Sequence, residues 1–432
     1  LRIGIIGTGI SGNLAARLLA QEHEVEVFEA APVLGGHTRT IDVQAFGRAW
    51  SVDTGFMVFN DRTYDNFCRL MSLLDLSGVD TDMSFSVTCA QTGLEYQGSS
   101  LDGLFAQRLN MVKPRFLGMI RDILRFNRES TAMLMLAGVS PDQSMRDLLA
   151  NRGYGGWFAQ KYLLPMTAAI WSCPTEQVWD FPAHFLLAFM RNHGLLQIQD
   201  RPQWKTVAGT ARAYVDRLTA PFRHNIRTNC PVLGIERQGD LVHVHTAQEP
   251  TRTFDKVVLA CHSDQALKLL KDADDEERSI LRDLPYHPNT AVVHTDTSIL
   301  PRSRRAWASW NYHIFNDERN QVAVTYDLSR LQGLNTPSPI LLTLNVDERI
   351  DPAQVLDRYL FHHPAYSGTS LRAQERLKRR NGQRGTFYCG AYLGYGFHED
   401  GVKSALEVTR HFGLGLDQWK AAFTKASSIT NG

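Results

Sequence analysis

The chain has 432 residues, 43% of them hydrophobic and 21% charged, with a formal net charge of +1. That length exceeds one ordinary core and predicts two interleaved domains of globular type. The near-neutral balance excludes a general attraction for nucleic acid or strongly acidic partners.

Six cysteines (Cys68, Cys89, Cys173, Cys230, Cys261 and Cys389) stand without CxxC or metal-type clustering. They suit reduced thiols in a cytoplasmic protein, and no metal site is expected. The longest apolar stretch, residues 181–198, is broken by His184, Arg191, Asn192 and His193, so a spanning helix is not expected. The opening run Ile3-Gly4-Ile5-Ile6 leads into a glycine turn, not a cleavage site, and gives no export signal.

Residues 2 to 29 read as strand, turn, helix, strand. Arg2 to Ile6 is a short apolar strand, Gly7-Thr8-Gly9-Ile10-Ser11-Gly12 follows, and Asn13 to Ala20 is helix-forming. Glu24 to Phe28 alternates as a strand and ends at Glu29. Gly7 permits the tight turn, Gly9 lets backbone approach a pyrophosphate, and Gly12 lets helix and strand pack closely. The helix N-terminus, with the N–H groups of Ile10 and Ser11, presents free donors and a positive dipole end to phosphates. Glu29, followed by Ala30, can accept hydrogen bonds from ribose hydroxyls and disfavours the extra phosphate of NADP. A GxGxxG in this context, with an acid about twenty residues on, specifies a dinucleotide. It fits FAD and NAD equally.

The next residues separate the two. Leu34-Gly35-Gly36-His37-Thr38-Arg39-Thr40 brings a second glycine pair, and a hairpin turning at Gly47-Arg48 leads to Asp53-Thr54-Gly55-Phe56. An NAD dehydrogenase continues into another βα unit here. A second glycine pair instead lets backbone pass close to the phosphates and isoalloxazine side of FAD. The residues resemble the flavin amine oxidase superfamily, which includes monoamine oxidases, phytoene desaturases and protoporphyrinogen oxidases. Its pattern is an acid, then L-G-G-R-x-x-T and a later D-x-G, matched by Glu29, Leu34-Gly35-Gly36, Thr40, and Asp53 with Gly55. The resemblance implies FAD as cofactor and places Gly35, Gly36, His37, Thr38, Thr54, Gly55 and Phe56 against it. His37 stands where the superfamily has arginine, and Arg39 is the nearest replacement for that charge.

The same resemblance implies a fold. A discontinuous, Rossmann-type α/β FAD-binding domain is expected over residues 1–60, 200–274 and 376–432. An inserted α+β substrate domain is expected over 61–199 and 275–375. Trp204 to Thr210 opens a helix through Leu218, strands follow around Val232 and Val242 to Val244, and Phe254 to Ala260 is a β-branched run. In the superfamily the backbone matching Val232 meets the adenine. Thr386 to Gly390 reads as a strand ending in glycine, and a helix is expected from about Gly401 to Phe412. By resemblance, Gly390 delivers backbone to the ribityl chain, and Gly401 and Val402 face the flavin N1/C2=O edge. Free helix N–H groups there stabilise the negative charge of reduced flavin. Ala391 stands where the superfamily has an acid.

Phrases along the whole chain, among them Asp82-Met83-Ser84-Phe85-Ser86, Arg201-Pro202-Gln203-Trp204 and Gly394-Tyr395-Gly396-Phe397-His398-Glu399-Asp400-Gly401, are similar to a narrower group. It comprises bacterial FAD/NAD-binding, amine-oxidase-like proteins associated with cyclopropane fatty acid synthases. That similarity implies lipid metabolism and association with such a synthase.

In the substrate half, Ser140-Pro141-Asp142-Gln143 reads as a helix start and Gly153 as its end. Strands are expected at Thr290 to His294, Ala306 to Phe315, Gln321 to Tyr326 and Ile340 to Leu344. Leu104 to Phe126 mixes Arg108, Lys113, Arg115, Arg121 and Arg125 with Leu, Phe, Met and Ile. Such a segment either rests peripherally on anionic lipid of the inner membrane or is a solvated helix packed on the core. Trp307, Trp310, Tyr312 and Tyr326 either line a pocket beside the flavin or fill a sheet core.

Flavin accepts a hydride itself, so the protein must hold a C–H or N–H bond against it, exclude water and take a proton. His398 and Glu399, just before the flavin-facing helix, and Tyr395 beside them are the candidate proton acceptors. Three functions fit. One is an oxidase, dehydrogenase or desaturase acting on a small, hydrophobic, fatty-acyl-like substrate. Another is a flavin-dependent isomerase without net redox. The third is an FAD-stabilised, non-catalytic partner of a lipid-modifying methyltransferase.

Overall fold

The computed structural model describes residues 1–421 except 137, 141, 198, 248–249 and 317–321. Pro141, Ile198 and Gln321 of the expected elements, and residues 422–432 of the last cofactor segment, lie outside the described residues.

The apolar run Arg2–Ile6 is the middle strand of a five-stranded parallel sheet. Its order is Ile226–Arg227, Glu24–Phe28, Arg2–Ile6, Lys256–Leu259, Thr386–Tyr388. Ile5 pairs with Val27 on one side and Val258 on the other, and all three are fully buried. Inner strands are covered on both faces, which is why Arg2–Ile6 and Lys256–Leu259 read as nearly continuous apolar runs while Glu24–Phe28 alternates. The helix Ile10–Leu19 is buried at all ten positions, packed against the helices His398–Arg410 and Arg212–Thr219.

A seven-stranded sheet forms the second half. Its order is Val355–Pro364, Tyr286–His294, Leu341–Leu344, Val324–Asp327, Trp310–Ile314, Phe85–Cys89, Leu94–Gln97. All pairs are antiparallel except Trp310–Ile314 with Phe85–Cys89. The helices Pro114–Met135, Leu164–Trp171 and Ala183–Asn192 share its core. The architecture is α/β, with a Rossmann-type parallel sheet and an inserted α+β half. All five parallel strands lie within 1–60, 200–274 and 376–432, and all seven of the second sheet lie within 61–199 and 275–375.

Several local expectations shift. Trp204–Val207 is a strand bridging Phe59–Asn60 and Gly78–Asp80, and the helix begins only at Arg212. The helix expected from Ser140 starts at Met145, because Ser144 accepts the Asp147 N–H at 3.1 Å; Gly153 ends it at φ 62°. The C-terminal helix starts at His398, three residues early, since Asp400 accepts the Phe397 N–H at 3.0 Å. Packing also crosses the expected boundaries. Phe67 and Leu70 of the helix Asp65–Leu73 join the core of Ile3 and Leu14. Ile280 and Leu281 pack with Val257 and Leu259, while Val43, Trp50 and Val52 of the early hairpin enter the core of the second half.

Candidate functional site

The three glycines of the first turn differ in what surrounds them. A Cβ on Gly7, at φ +105°, would lie 2.8 Å from the Ala260 carbonyl oxygen, and one on Gly12 would lie 2.0 Å from that of Gly7. Those two positions are closed by the fold. Gly9 meets no heavy atom within 4 Å and keeps an ordinary φ of −62°, so its freedom serves the space in front of it. The N–H groups of Ile10 and Ser11 belong to the first helical turn, which has no intrahelical acceptors. The second glycine pair closes on the first: a Cβ on Gly36 would stand 3.1 Å from the Gly9 Cα, and the Gly35 N–H donates to the Thr8 carbonyl at 3.1 Å. Gly55 is pressed onto the His37 carbonyl, which also accepts the Phe56 N–H at 3.0 Å.

Glu29 sits beside this cradle. Its carboxylate accepts the Thr8 N–H at 2.9 Å, the Thr8 hydroxyl at 2.5 Å and the Ala31 N–H at 2.8 Å. The Glu29 carbonyl accepts the Cys230 N–H at 2.9 Å, which brings the start of the strand Val232–Gln238 close to the acid. Ala30 is exposed.

At the far end, the Gly390 N–H donates to Ser404 Oγ at 2.9 Å, and Ser404 Oγ donates to the Gly401 carbonyl at 2.8 Å. A Cβ on Gly401 would stand 2.7 Å from Ile10 Cγ2, so the helix His398–Arg410 reaches the nucleotide helix at this residue. Val402 is fully buried in that contact. The residues read from sequence as cofactor contacts therefore gather around the C-terminal ends of the central strands, where open α/β sheets bind ligands.

The proton-acceptor candidates are placed less simply. His398 is buried, stacked on Phe56 at 3.7 Å, with Nε2 2.6 Å from the Tyr214 hydroxyl; that hydroxyl is 2.5 Å from Thr38 Oγ1. Burial and then His37 hold its pKa well below the usual imidazole range. Glu399 accepts the Asn66 side-chain amide at 2.7 Å and the Asn66 and Phe67 N–H groups at 3.2 and 2.9 Å, capping the helix Asp65–Leu73. Its carboxyl is raised by burial. Both side chains thus carry structural bonds, and both lie within the first turn of the helix, not before it. Tyr395 lines a cleft of about 410 Å³ together with Phe397, His193, Arg191, Asp400 and Lys403. Asp400, raised by burial to about 6, is an acid of that cleft that the sequence reading passed over.

Residues 10–304 match the family model described as flavin containing amine oxidoreductase. The chain belongs to this family. Its cofactor is FAD, and the open Gly9, the first-turn N–H groups and the Glu29 lone pairs fit a dinucleotide. The fold is shared with a CLA-producing fatty acid isomerase from P. acnes (TM-score 0.68, 19% identity, 95% of this chain and 98% of that one). It is also shared with a cyclohexylamine oxidase from Brevibacterium oxydans (0.66, 15%, 96% and 99%). A reduced UDP-galactopyranose mutase is similar at 0.64, with 14% identity over 95% of each chain. An uncharacterised protein of Methanocaldococcus jannaschii is 48% identical over 46 residues, spanning 11% of this chain and 12% of that protein.

Two departures from the family pattern acquire a setting. Arg39 reaches the strand Val355–Pro364, where its guanidinium lies 3.6 Å from Asp357 and 4.7 Å over the Tyr359 ring. His37 instead meets Phe361 at 4.5 Å and His363 at 5.3 Å between ring centroids. It keeps more than a third of its surface accessible although protein surrounds it. Ala391 opens the short turn Ala391–Leu393 after Gly390.

Around His37 the fold collects imidazoles that are scattered in sequence. The pairing of Tyr286–His294 with Val355–Pro364 sets His287 opposite His363, with ring centroids 6.4 Å apart. His262 stacks on Tyr286 at 4.1 Å and lies 6.3 Å from His362. Burial, then His262, lowers His37 to about 4; burial lowers His262 to about 4 and carries His287 and His363 down as well. Held neutral, these imidazoles offer a lone pair and an N–H each as hydrogen-bonding groups. Among the described residues no His, Cys, Asp and Glu side chains group to hold a metal ion. The tandem His362-His363 was the visible signal, but strand pairing alone shows which imidazoles meet.

The aromatic set expected from sequence divides. Tyr312 and Tyr326 are sheet core, with Trp310 edge-on to Tyr326 at 4.8 Å. A different set stands next to the start of the helix His398–Arg410: Trp171, Phe185, Phe189, Tyr366, Tyr395 and Phe397. Centroid distances are 4.6 Å for Trp171–Phe189, 4.6 Å for Phe185–Tyr395, 5.0 Å for Phe189–Phe397 and 5.3 Å for Phe185–Tyr366. Lys205 lies in the strand Trp204–Val207, facing Phe59.

Proposed function

We propose that the protein is an FAD-dependent oxidoreductase that takes a hydrophobic, fatty-acyl-like substrate. The supporting observation is the aromatic box of Trp171, Phe185, Phe189, Tyr366, Tyr395 and Phe397, which runs directly into the helix at His398. Tyr395 and Phe397 bring the edge of this box to the cleft, where an alkyl chain packs out of water, and Arg191 at the cleft suits a carboxylate.

Bound FAD supplies two-electron, hydride-accepting chemistry. In this reading Gly7, Gly9, Ile10, Ser11 and Gly12 hold the pyrophosphate, Glu29 and Ala30 the ribose, and Val232 the adenine. Gly35, Gly36, His37, Thr38, Thr54, Gly55 and Phe56 pass along the phosphate and ring side. Thr38 and Phe56 do so through backbone, since Tyr214 and His398 engage their side chains. Gly390, Gly401 and Val402 close the ribityl and ring edge. His37 and His363, neutral and facing each other, orient the substrate by hydrogen bonds, with Asn289 holding His363 Nδ1 at 2.8 Å. Tyr395 orients the chain. His398 and Glu399 act through position: one fixes Tyr214, the other anchors the helix Asp65–Leu73.

A second reading is isomerisation without net redox, the kind of reaction named for the fatty acid isomerase that shares this fold at 19% identity. Purified, FAD-loaded protein mixed anaerobically with long-chain fatty acids and, separately, with amines distinguishes the outcomes. Lasting loss of flavin visible absorbance with fatty acids supports the oxidoreductase reading. A shifted double bond with the absorbance restored supports isomerisation. Reduction by amines alone overturns the fatty-acyl reading. Stimulation of a cyclopropane fatty acid synthase without turnover supports the role of an FAD-stabilised partner to that methyltransferase.

A further inference from the structure

The segment 101–136 leaves apolar side chains in water to an unusual extent. It holds eight of the fifteen exposed large hydrophobic residues found among the described residues. Leu109, Met111 and Val112, in the short helical turn Arg108–Val112, are 72%, 49% and 74% exposed. The long helix Pro114–Met135 has two apolar stripes. Phe116, Met119, Phe126 and Met133 point inward and are buried in the core of the second half. Leu117, Arg121, Leu124, Arg128 and Met135 follow one another at helical spacing on the opposite side, and all are exposed.

A helix whose outer face is merely solvated carries mixed charges and few leucines. This outer stripe alternates leucine with arginine and contains no acid. Residues 101–135 carry six basic side chains and three acidic ones. All three acids are engaged: Asp102 by Arg108 and Arg305, Asp122, buried, by Arg121 and the Gly155 N–H, and Glu129 by Arg125 and the Tyr154 hydroxyl. The exposed tips Leu109, Met111 and Val112 are flanked by Arg108, Lys113 and Arg115, the arrangement that sinks apolar side chains below headgroups while cations meet phosphates. No helix among the described residues is long and apolar enough to cross a membrane, so contact would be from one side.

We propose that the outer face of residues 101–135 docks the protein on an anionic lipid bilayer, with Leu109, Met111, Val112, Leu117 and Leu124 inserted among the headgroups. The cations decide for a bilayer over a second copy of this chain, because a copy would oppose arginine to arginine across the patch. A cleft of about 450 Å³ lined by Leu124, Arg128, Leu196 and Gln199 borders the surface. The proposal does not depend on which substrate the active site takes.

Flotation of the full-length, FAD-loaded protein with vesicles provides the test. Binding is expected to vesicles of phosphatidylcholine mixed with phosphatidylglycerol, to be weak on phosphatidylcholine alone, and to fall at high salt. Arg121→Glu with Arg128→Glu is expected to lower partitioning at least about tenfold. Met111→Ser with Val112→Ser is expected to lower it several-fold at unchanged charge. Lys378→Glu with Arg379→Glu, on another surface, makes the same charge change and is expected to leave binding intact. Retained flavin absorbance reports folding for every variant. Absence of vesicle binding, equal loss in the Lys378/Arg379 control, or a dimer in sedimentation that the patch substitutions disperse would each overturn the proposal.

Discussion

Gly9 and Gly12 occupy the same turn for different reasons, and substitution separates them. Alanine at Gly12 would put Cβ 2.0 Å from the Gly7 carbonyl oxygen, which forces helix and strand apart at a cost on the order of 3 kcal/mol. Alanine at Gly9 meets nothing in the protein and costs the fold under about 1 kcal/mol, yet it projects into the phosphate space. Gly9→Ala is therefore expected to melt near the parent temperature when stripped of FAD and to bind FAD at least about tenfold more weakly, ~1.4 kcal/mol. Flavin fluorescence titration reads the second quantity; equal affinity would remove Gly9 from the cofactor contact. The imidazoles allow a parallel comparison. His363→Phe is expected to lower turnover by about tenfold, the scale of one lost substrate hydrogen bond, while leaving FAD content unchanged. His398→Phe, which breaks the bond to Tyr214, is expected to lower FAD retention and stability instead. At this scale the glycine positions were legible because only backbone geometry is involved. The surroundings of His398 were not, since stacking on Phe56 and bonding to Tyr214 join residues far apart in the chain.

Among the elements, the C-terminal strand Thr386–Tyr388 is tied to the helix Asp275–Arg282 by a buried ion pair. Arg237 donates to both oxygens of Glu277 at 2.6 and 2.8 Å, and the Tyr388 hydroxyl donates to the same carboxylate at 2.8 Å. Both charged side chains are almost wholly buried. Glu277→Ala would strand the guanidinium, with Asp272 as its remaining acid, and is expected to destabilise by about 3–5 kcal/mol. Chemical denaturation of the FAD-free protein checks this, and a loss below about 1 kcal/mol would mean that Asp272 suffices. Element existence was largely readable from periodicity. Boundaries followed from caps that compete locally: Ser144 over Ser140, and Asp400, which draws the last helix back to His398. The strand Trp204–Val207 was read as the opening of a helix because its partners, Phe59–Asn60 and Gly78–Asp80, are remote in sequence.

For the whole molecule, burial sets the pH response. Eight imidazoles (His37, His193, His262, His287, His294, His313, His363 and His398) are held below their ordinary pKa, His193 and His294 to about 4 and His313 to about 3. Below about 6.5 the unfolded chain takes up protons that the folded one refuses, so this contribution to stability shrinks as pH falls towards 4. Four carboxyls act in the opposite sense: Asp53 and Asp400 are raised to about 6, and Asp327 and Glu399 are also raised, all by burial. The folded form binds their protons first and gains as pH falls. Imidazoles outnumber these acids two to one, so the melting temperature is expected to drop between pH 7.5 and 5. A scan in matched buffers that rises over this window would show the carboxyls prevailing.

The flavoprotein fold followed from the resemblance to the flavin amine oxidase superfamily; by itself the sequence determined the dinucleotide turn, the second glycine pair and the short strands beside them. Those features depend on backbone conformation and period, which neighbours in the chain impose. Tertiary structure alone decided which imidazoles face His37, which aromatic rings stand before the last helix, and that Leu117 and Leu124 point outward while Phe116 and Phe126 point in. Each of these depends on which distant segments pack together, and packing is settled by the whole core.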